Sequence, residues 1–183
     1  MSIRLKQREL HKRFLQDIGE NVSSVEDNGC KPLMCRLTTS FNRNIKAYIF
    51  NCTAPPGGRS MDEYKVQLIL QNQKRGERGA FDDSDGRTIL IIGDACIFDE
   101  PDTGLWVLFE LDKHREFAYS ANIQIYLRQL LKALETDVFV YKKHNDEVVV
   151  IAKRKYLKEA LHERFKIDFE IMLERAEHGI KGI

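Results

Sequence analysis

Two short apolar runs, Thr88–Gly93 and Leu105–Leu111, constrain the fold more than any other part of the chain. Each has the length of one buried strand and is too short to stand as a helix. An acidic connection containing Pro101, followed by Gly104, separates them, and Asp85-Gly86 is a turn signal directly before the first. The pair therefore reads as a hairpin in the core, with alternate residues of Leu105–Leu111 facing inward.

Other strands group around this pair. Leu33–Thr53 reads as two strands about a turn at Asn42-Arg43-Asn44, the second carrying the β-branched and aromatic run Lys46–Cys52. Pro55-Pro56-Gly57-Gly58 stops pairing, because proline lacks the ladder donor. Glu63–Leu70 and Ser120–Ile125 are further strands, with a short helix over Tyr126–Leu134. Asp137–Tyr141 and Glu147–Ala152 form a second hairpin about His144-Asn145-Asp146.

Helices are expected at both ends. Leu10, Phe14, Leu15 and Ile18 make an apolar stripe in a helix over Ser2–Ile18, closed by Gly19. Asn21–Lys31 is polar and turn-rich and reads as a linker. A terminal helix from Lys155 to about His178 carries Leu157, Leu161, Phe165, Phe169 and Met172 on one stripe, with Gly179 as its cap. Residues 1–30 are thus an N-terminal helix and linker, and residues 31–183 a β-rich domain ending in a helix. Strands and helices do not alternate regularly, so the class is α+β, mostly antiparallel, and not a doubly wound parallel sheet.

No apolar run approaches the ~18 residues that span a bilayer, and no hydrophobic signal core follows Arg4, so a cytoplasmic location is expected. Cys30, Cys35, Cys52 and Cys96 lack metal-ligand spacing and read as reduced, apolar thiols. A net charge of +1 does not decide for or against nucleic acid, since only one basic face is needed. Basic residues cluster at Arg4–Arg13, Lys74–Arg78 and Lys153–Lys158.

Candidate chemistry is sparse. Glu63 and Lys65 alternate on one strand as in metal-dependent nucleases, where the carboxylate holds Mg²⁺ and the lysine orients water. A second acidic ligand is missing: Asp27 lies in a polar loop, and Asp62 would face the other side of the strand. Asp82–Gly86 lacks the glutamate a calcium loop requires, and Gly76–Gly79 is no phosphate loop. No cofactor is expected apart from Mg²⁺ under the nuclease alternative. Polar readout remains: Gln71, Asn72, Gln73, Lys74, Arg75 and Arg78 occupy one loop and suit base edges and phosphates. With Arg59, Lys65, Lys113 and Arg115 they make up the expected DNA-contacting set.

The stretch Gly58-Arg59-Ser60-Met61-Asp62-Glu63-Tyr64-Lys65-Val66-Gln67 resembles a recognition module of bacterial restriction–modification proteins. The likeness continues through Asp85-Gly86-Arg87, Leu90–Gly93, Trp106–Phe109, His114 and Ser120–Gln124, and covers roughly residues 51–154. It is similar to the EcoRII-effector-like pseudobarrel, flanked here by N- and C-terminal helices. That resemblance implies duplex DNA gripped by two loop arms, with a nuclease or methyltransferase partner supplying any catalysis. Three functions follow as expectations. The first is a sequence-specific double-stranded DNA-binding domain of restriction or phage defence. The others are a small Mg²⁺-dependent endonuclease using Glu63 and Lys65, and an interaction module that docks, or forms a homodimer, through its terminal helices.

Overall fold

The N-terminal stripe makes a helix as expected, but it begins at Gln7, and residues 4–6 enter it as irregular chain. In α1 (Gln7–Ile18), Leu10, Phe14 and Ile18 are buried. The structure, a computed structural model, describes residues 4–54, 60, 62–97 and 103–180, the last three by backbone only. The strands are β1 (Val22–Glu26), β2 (Leu33–Leu37), β3 (Asn44–Thr53), β4 (Glu63–Leu68), β5 (Gly79–Ala80), β6 (Thr88–Ala95), β7 (Leu105–Phe109), β8 (Glu116–Phe117), β9 (Ala121–Tyr126), β10 (Val138–Lys142) and β11 (Val148–Lys153). Helix α2 (Leu127–Glu135) follows β9, and α3 (Leu157–Ile180) closes the described chain.

One correction falls on the segment read as a linker. Val22–Glu26 is an edge strand, antiparallel to β2. Its side chains are almost all exposed, so it is held by ladder hydrogen bonds and not by an apolar face that a sequence pattern would reveal. Only the turn Asp27–Lys31 keeps the irregular character expected.

One large sheet runs β1-β2-β3-β6-β7-β11-β10. Both expected hairpins form: β6 pairs antiparallel with β7, from Ile91↔Phe109 to Ala95↔Leu105, and β10 with β11. The β3–β6 pair is parallel over eight residues, Ile45↔Thr88 to Cys52↔Ala95, in an otherwise antiparallel sheet. The other edge of β3 is divided. Its first half pairs with β2, and its end pairs with β4 through Cys52↔Val66 and Thr53↔Lys65. From there β4 pairs with β9. Among the described residues β9 and β10 are each paired on one side only, so the strands form an open, branched sheet and not a closed barrel.

The central strands are apolar on both faces, so each face carries its own core. Ile45, Ala47 and Ile49 of β3, Leu90 and Ile92 of β6, and Trp106 and Leu108 of β7 share one cluster with α1 and α3. Tyr48, Phe50, Cys52, Ile91, Val107 and Phe109 belong to the other, with inward residues of β4, β9 and α2. This corrects the one-sided expectation for Leu105–Leu111: all five residues of β7 are buried, because a second layer covers what would have been its outer face. Gly93 sits where that layer crosses. A Cβ there would lie 3.0 Å from Val66 Cγ2 and 3.1 Å from Cys52 Cβ.

Helix α3 departs from its stripe. Leu157, Leu161 and Phe165 are buried, but Phe169 and Met172 are 52% and 55% exposed, while Ile167 is buried instead. At ~1.5 Å per residue a 24-residue helix is ~36 Å long, well beyond the ~20 Å of the strands beneath it. The second half therefore outruns the sheet. Gly179 lies inside the helix, which continues to Ile180.

Charges buried beside the first core are paired. Asp94, on β6, accepts from Arg13 Nη1 at 2.8 Å and Arg154 Nη2 at 2.7 Å. Trp106 Nε1 donates to Asp17 at 2.8 Å, joining β7 to α1. Burial and this polar anchor make Trp106 a sensitive reporter. Its native emission is expected to be blue-shifted, and Trp106→Ala to cost ~3–5 kcal/mol in chemical denaturation, from lost burial and a cavity. Trp106→Phe should cost less, ~1–3 kcal/mol, mainly from an acceptor left unpaired. Water-like emission from the folded protein would contradict this placement.

Candidate nucleic-acid interface

Three cations from distant parts of the sequence meet beside the start of α1. Asn51, a polar residue on β3, clamps the backbone of Leu5: Leu5 N–H donates to Asn51 Oδ1 at 2.8 Å, and Asn51 Nδ2 donates to Leu5 O at 3.0 Å. That fixes the segment carrying Arg4. Gln7 Nε2 donates to Ile49 O at 3.1 Å, and buried His11 joins Asp27 through Nδ1 at 2.7 Å. Burial would raise the pKa of Asp27, but hydrogen bonds from Gly29 N–H and His11 hold it below the ordinary value. These contacts tie α1 to the turn that bears Lys31. Lys65 arrives from β4, opposite Thr53.

Together Arg4, Lys31 and Lys65, with Gln7, Asn51 and Gln67, line a groove of about 400 Å³. No carboxylate lines it, and among the described residues none of the three cations has an acidic partner. Lys31 Nζ instead lies 4.2 Å from the centroid of the Phe50 ring. Desolvation pushes the Lys31 pKa down to about 8. A groove of unneutralised donors around a partly dehydrated ammonium is suited to an anion.

A polar platform continues from this groove. On β4 the burial alternates, so Tyr64, Val66 and Leu68 face the core while Glu63, Lys65 and Gln67 share the outer face, as their spacing predicts. On β9, Gln124 lies opposite Lys65 and Asn122 opposite Gln67. Glu63 accepts from Gln124 Nε2 at 2.6 Å, and Asp62 accepts from the Ser60 hydroxyl. Among the described residues no group of three or more His, Cys, Asp or Glu side chains gathers as a metal site would require.

The expected recognition loop leaves β4 at Ile69, which lines the groove. Gln71, Asn72, Lys74 and Arg75 are exposed. Gln73 is spent within the loop: it accepts from Leu70 N–H and donates to Glu77 O, both at 3.0 Å. Arg78 lies 3.8 Å from Glu116, both exposed. Lys113 is exposed, whereas Arg115 reaches Asp112 and Asp83, each at 2.7 Å. Arg59 lies outside the described residues. The acidic run 82–85 is also structural. Buried Lys46 takes Asp82 at 3.1 Å and Asp85 at 2.9 Å, and hydrogen bonds from Ser84, then Lys46, hold Asp82 down at about 2.

Sequence reasoning missed Lys31 and Arg4 as parts of one site. Arg4 read as one member of a basic helix start, and Lys31 lay in a segment read as linker. No sequence signal joins them: Lys31 follows Glu26 and Asp27, Lys65 follows Asp62 and Glu63, and only the fold brings the three cations together without a carboxylate in the lining.

No helix among the described residues is long and apolar enough to cross a membrane, and all four cysteines are free thiols. No curated protein and no solved structure matches the chain. A family model does match, over residues 43–161, which is more than half of the 183 residues. The matched span runs from the start of β3 into α3, so it holds the central strands, the β4–β9 platform, the loop and Lys65, while Arg4 and Lys31 lie before it. That family is tied by its description to methylases, and hence to restriction–modification: the chain belongs to the methylase-associated X1 family.

Proposed function

We propose that this chain is a duplex-DNA-binding specificity module that works beside a methyltransferase in a restriction–modification system. Backbone phosphates enter the groove of Arg4, Lys31 and Lys65, and the loop at residues 71–78, led by Arg75, reaches base edges. The carboxylate-free groove carries this reading. A dehydrated lysine without a counter-ion is costly in the free protein, and a phosphate oxygen relieves that cost. Family membership supplies the methylase context, and the resemblance to restriction-associated recognition modules points to the same ligand. Phosphate contacts position a protein on the duplex, while base contacts specify the sequence.

Salt dependence tests the groove. Binding of a randomised duplex pool, followed by anisotropy, should weaken steeply with salt. Each of Arg4→Ala, Lys31→Ala and Lys65→Ala should lower the slope by ~0.9. Arg75→Ala should instead cost ~1–3 kcal/mol at one position of a selected site. Unchanged slopes in all three groove variants would remove the groove from the interface.

The pH dependence has a definite sign. A bound phosphate favours the charged form of Lys31, whose pKa in the free protein is about 8. Affinity should therefore fall as pH rises from 7 to 9, with protons taken up on binding at the upper end. Lys31→Arg keeps its charge throughout and should bind with little change across that range. In the free protein the unfolded chain holds the Lys31 proton up to the ordinary 10.5, so the contribution of this residue to stability rises with pH between the two values. Wild-type affinity that stays flat from pH 7 to 9 would separate Lys31 from the bound phosphate.

A further inference from the structure

The open side of the sheet holds a second site. Residues 122–126 of β9 line one wall of a gap, and Tyr141, Lys143, His144, Asn145 and Glu147, from the hairpin of β10 and β11, line the other with His114. The side chains of Ile123 and Ile125 point into the core, at 3% and 1% exposure. What they turn toward the gap is therefore main chain, on the edge of β9 that no strand covers among the described residues.

The floor is fixed by a buried carboxylate. Glu147 is 1% exposed, accepts from His114 Nε2 at 2.8 Å and pairs with Lys143 Nζ at 2.8 Å. Burial pushes its pKa up, but His114 and Lys143 hold it below the ordinary carboxylate value. An ionised carboxylate only accepts, so His114 carries its proton on Nε2 and, when neutral, leaves Nδ1 as a free acceptor. Neither the carboxylate nor the lysine is then left as an uncompensated charge facing a neutral guest.

We propose that this gap binds a single nucleobase, presented as a nucleotide extruded from duplex DNA. The proposal rests on the DNA-binding reading for the source of the base, but not for the pocket itself. Its volume, about 310 Å³, is at the small end of ligand sites and suits one compact planar group. Tyr141 and Tyr126 line the gap and offer flat aromatic surface for stacking, Tyr126 through the face opposite Arg128, whose Cζ lies 5.0 Å from its ring centroid. Asn122, the amide nitrogen of Asn145, His114 and the bare β9 edge offer donors and acceptors for a base edge. Asn145 Oδ1 is already engaged by Glu147 N–H at 3.3 Å. Stacking combined with edge hydrogen bonds is how extruded bases are held, and it lets a protein read a base from all sides. A domain tied to methylases has reason to inspect one base at a time.

The test uses the full chain, isotopically labelled. The four deoxynucleosides, 5-methyldeoxycytidine and N6-methyldeoxyadenosine are titrated singly, and the ring resonances of His114, Tyr126 and Tyr141 are followed by NMR. In parallel, anisotropy compares a matched duplex with the same duplex carrying one mismatch. At least one nucleoside should shift all three rings. The mismatched duplex should bind several-fold tighter, because its base is cheaper to unpair. Tyr141→Ala should abolish both effects without altering the salt slope, and Tyr141→Phe should keep them. Tyr126→Ala serves as a second probe should Tyr141→Ala fail to fold. Duplex binding without mismatch preference and without ring shifts overturns the proposal. So do peptide-induced shifts of the Ile123 and Ile125 amides, seen with an alternating Thr-Val hexapeptide and not with nucleosides, since the edge then takes a strand. Ring shifts with nucleosides but no duplex binding at low salt support the base pocket and overturn the duplex reading alone.

Discussion

The parallel ladder between β3 and β6 is the constraint on which the remaining structure depends. Eight consecutive pairs put two strands side by side with apolar residues on both faces. A strand pair of that kind cannot leave either face in water. One face takes α1 and α3, and the other takes β4, β9 and α2. The parallel direction also demands a long crossover between the two strands, and the chain uses it to build β4, the recognition loop and the acidic turn at residues 82–85. The segment with the richest polar chemistry is thus the connection that the central ladder obliges the chain to make.

Polar residues on these central strands organise the periphery because they cannot be left unpaired. Lys46 on β3 gathers Asp82 and Asp85 and so holds the turn that feeds β6. Asn51 on the same strand clamps Leu5 and fixes the approach to α1. Asp94 on β6 draws Arg13 and Arg154 together, linking α1 to the end of β11. Each would be costly if unsatisfied, so each specifies a single position for a distant segment. The groove of Arg4, Lys31 and Lys65 is a by-product of the Asn51 anchor and of the division of β3 between β2 and β4.

Much of this was legible in the sequence. The two hairpins, the strands at residues 33–53 and 63–68 and the terminal helices were readable because apolar periodicity and turn residues agreed locally. Three features were not. Val22–Glu26 pairs through its backbone and carries no apolar face. Burial on both sides of β7 depends on a layer contributed from elsewhere in the chain. The outer half of α3 keeps a helical stripe that only the length of the sheet decides is exposed. At the site, the alternation of Glu63 and Lys65 was readable, since it depends on strand geometry alone. For Gln73 and Arg115, residues of the expected DNA-contacting set, spacing alone does not show the partners the fold brings within reach, Glu77 close by and Asp83 far off. Lys31 was invisible for the opposite reason: its distinction is the partner it lacks.

Gly93 gives the double-sided core a further meaning. Val66 and Cys52 already approach to within about 3 Å of where its side chain would begin. The height of the β4–β9 platform above the central sheet is therefore set by one absent methyl group. Any larger residue would act as a shim, lifting the strand that carries Lys65 and Gln67 while leaving α1, on the far face, where it is. Distance between the halves of the groove is thus adjustable from beneath, at a position that does not itself line the groove. A lineage needing a wider grip could change it without altering a single residue that lines the groove.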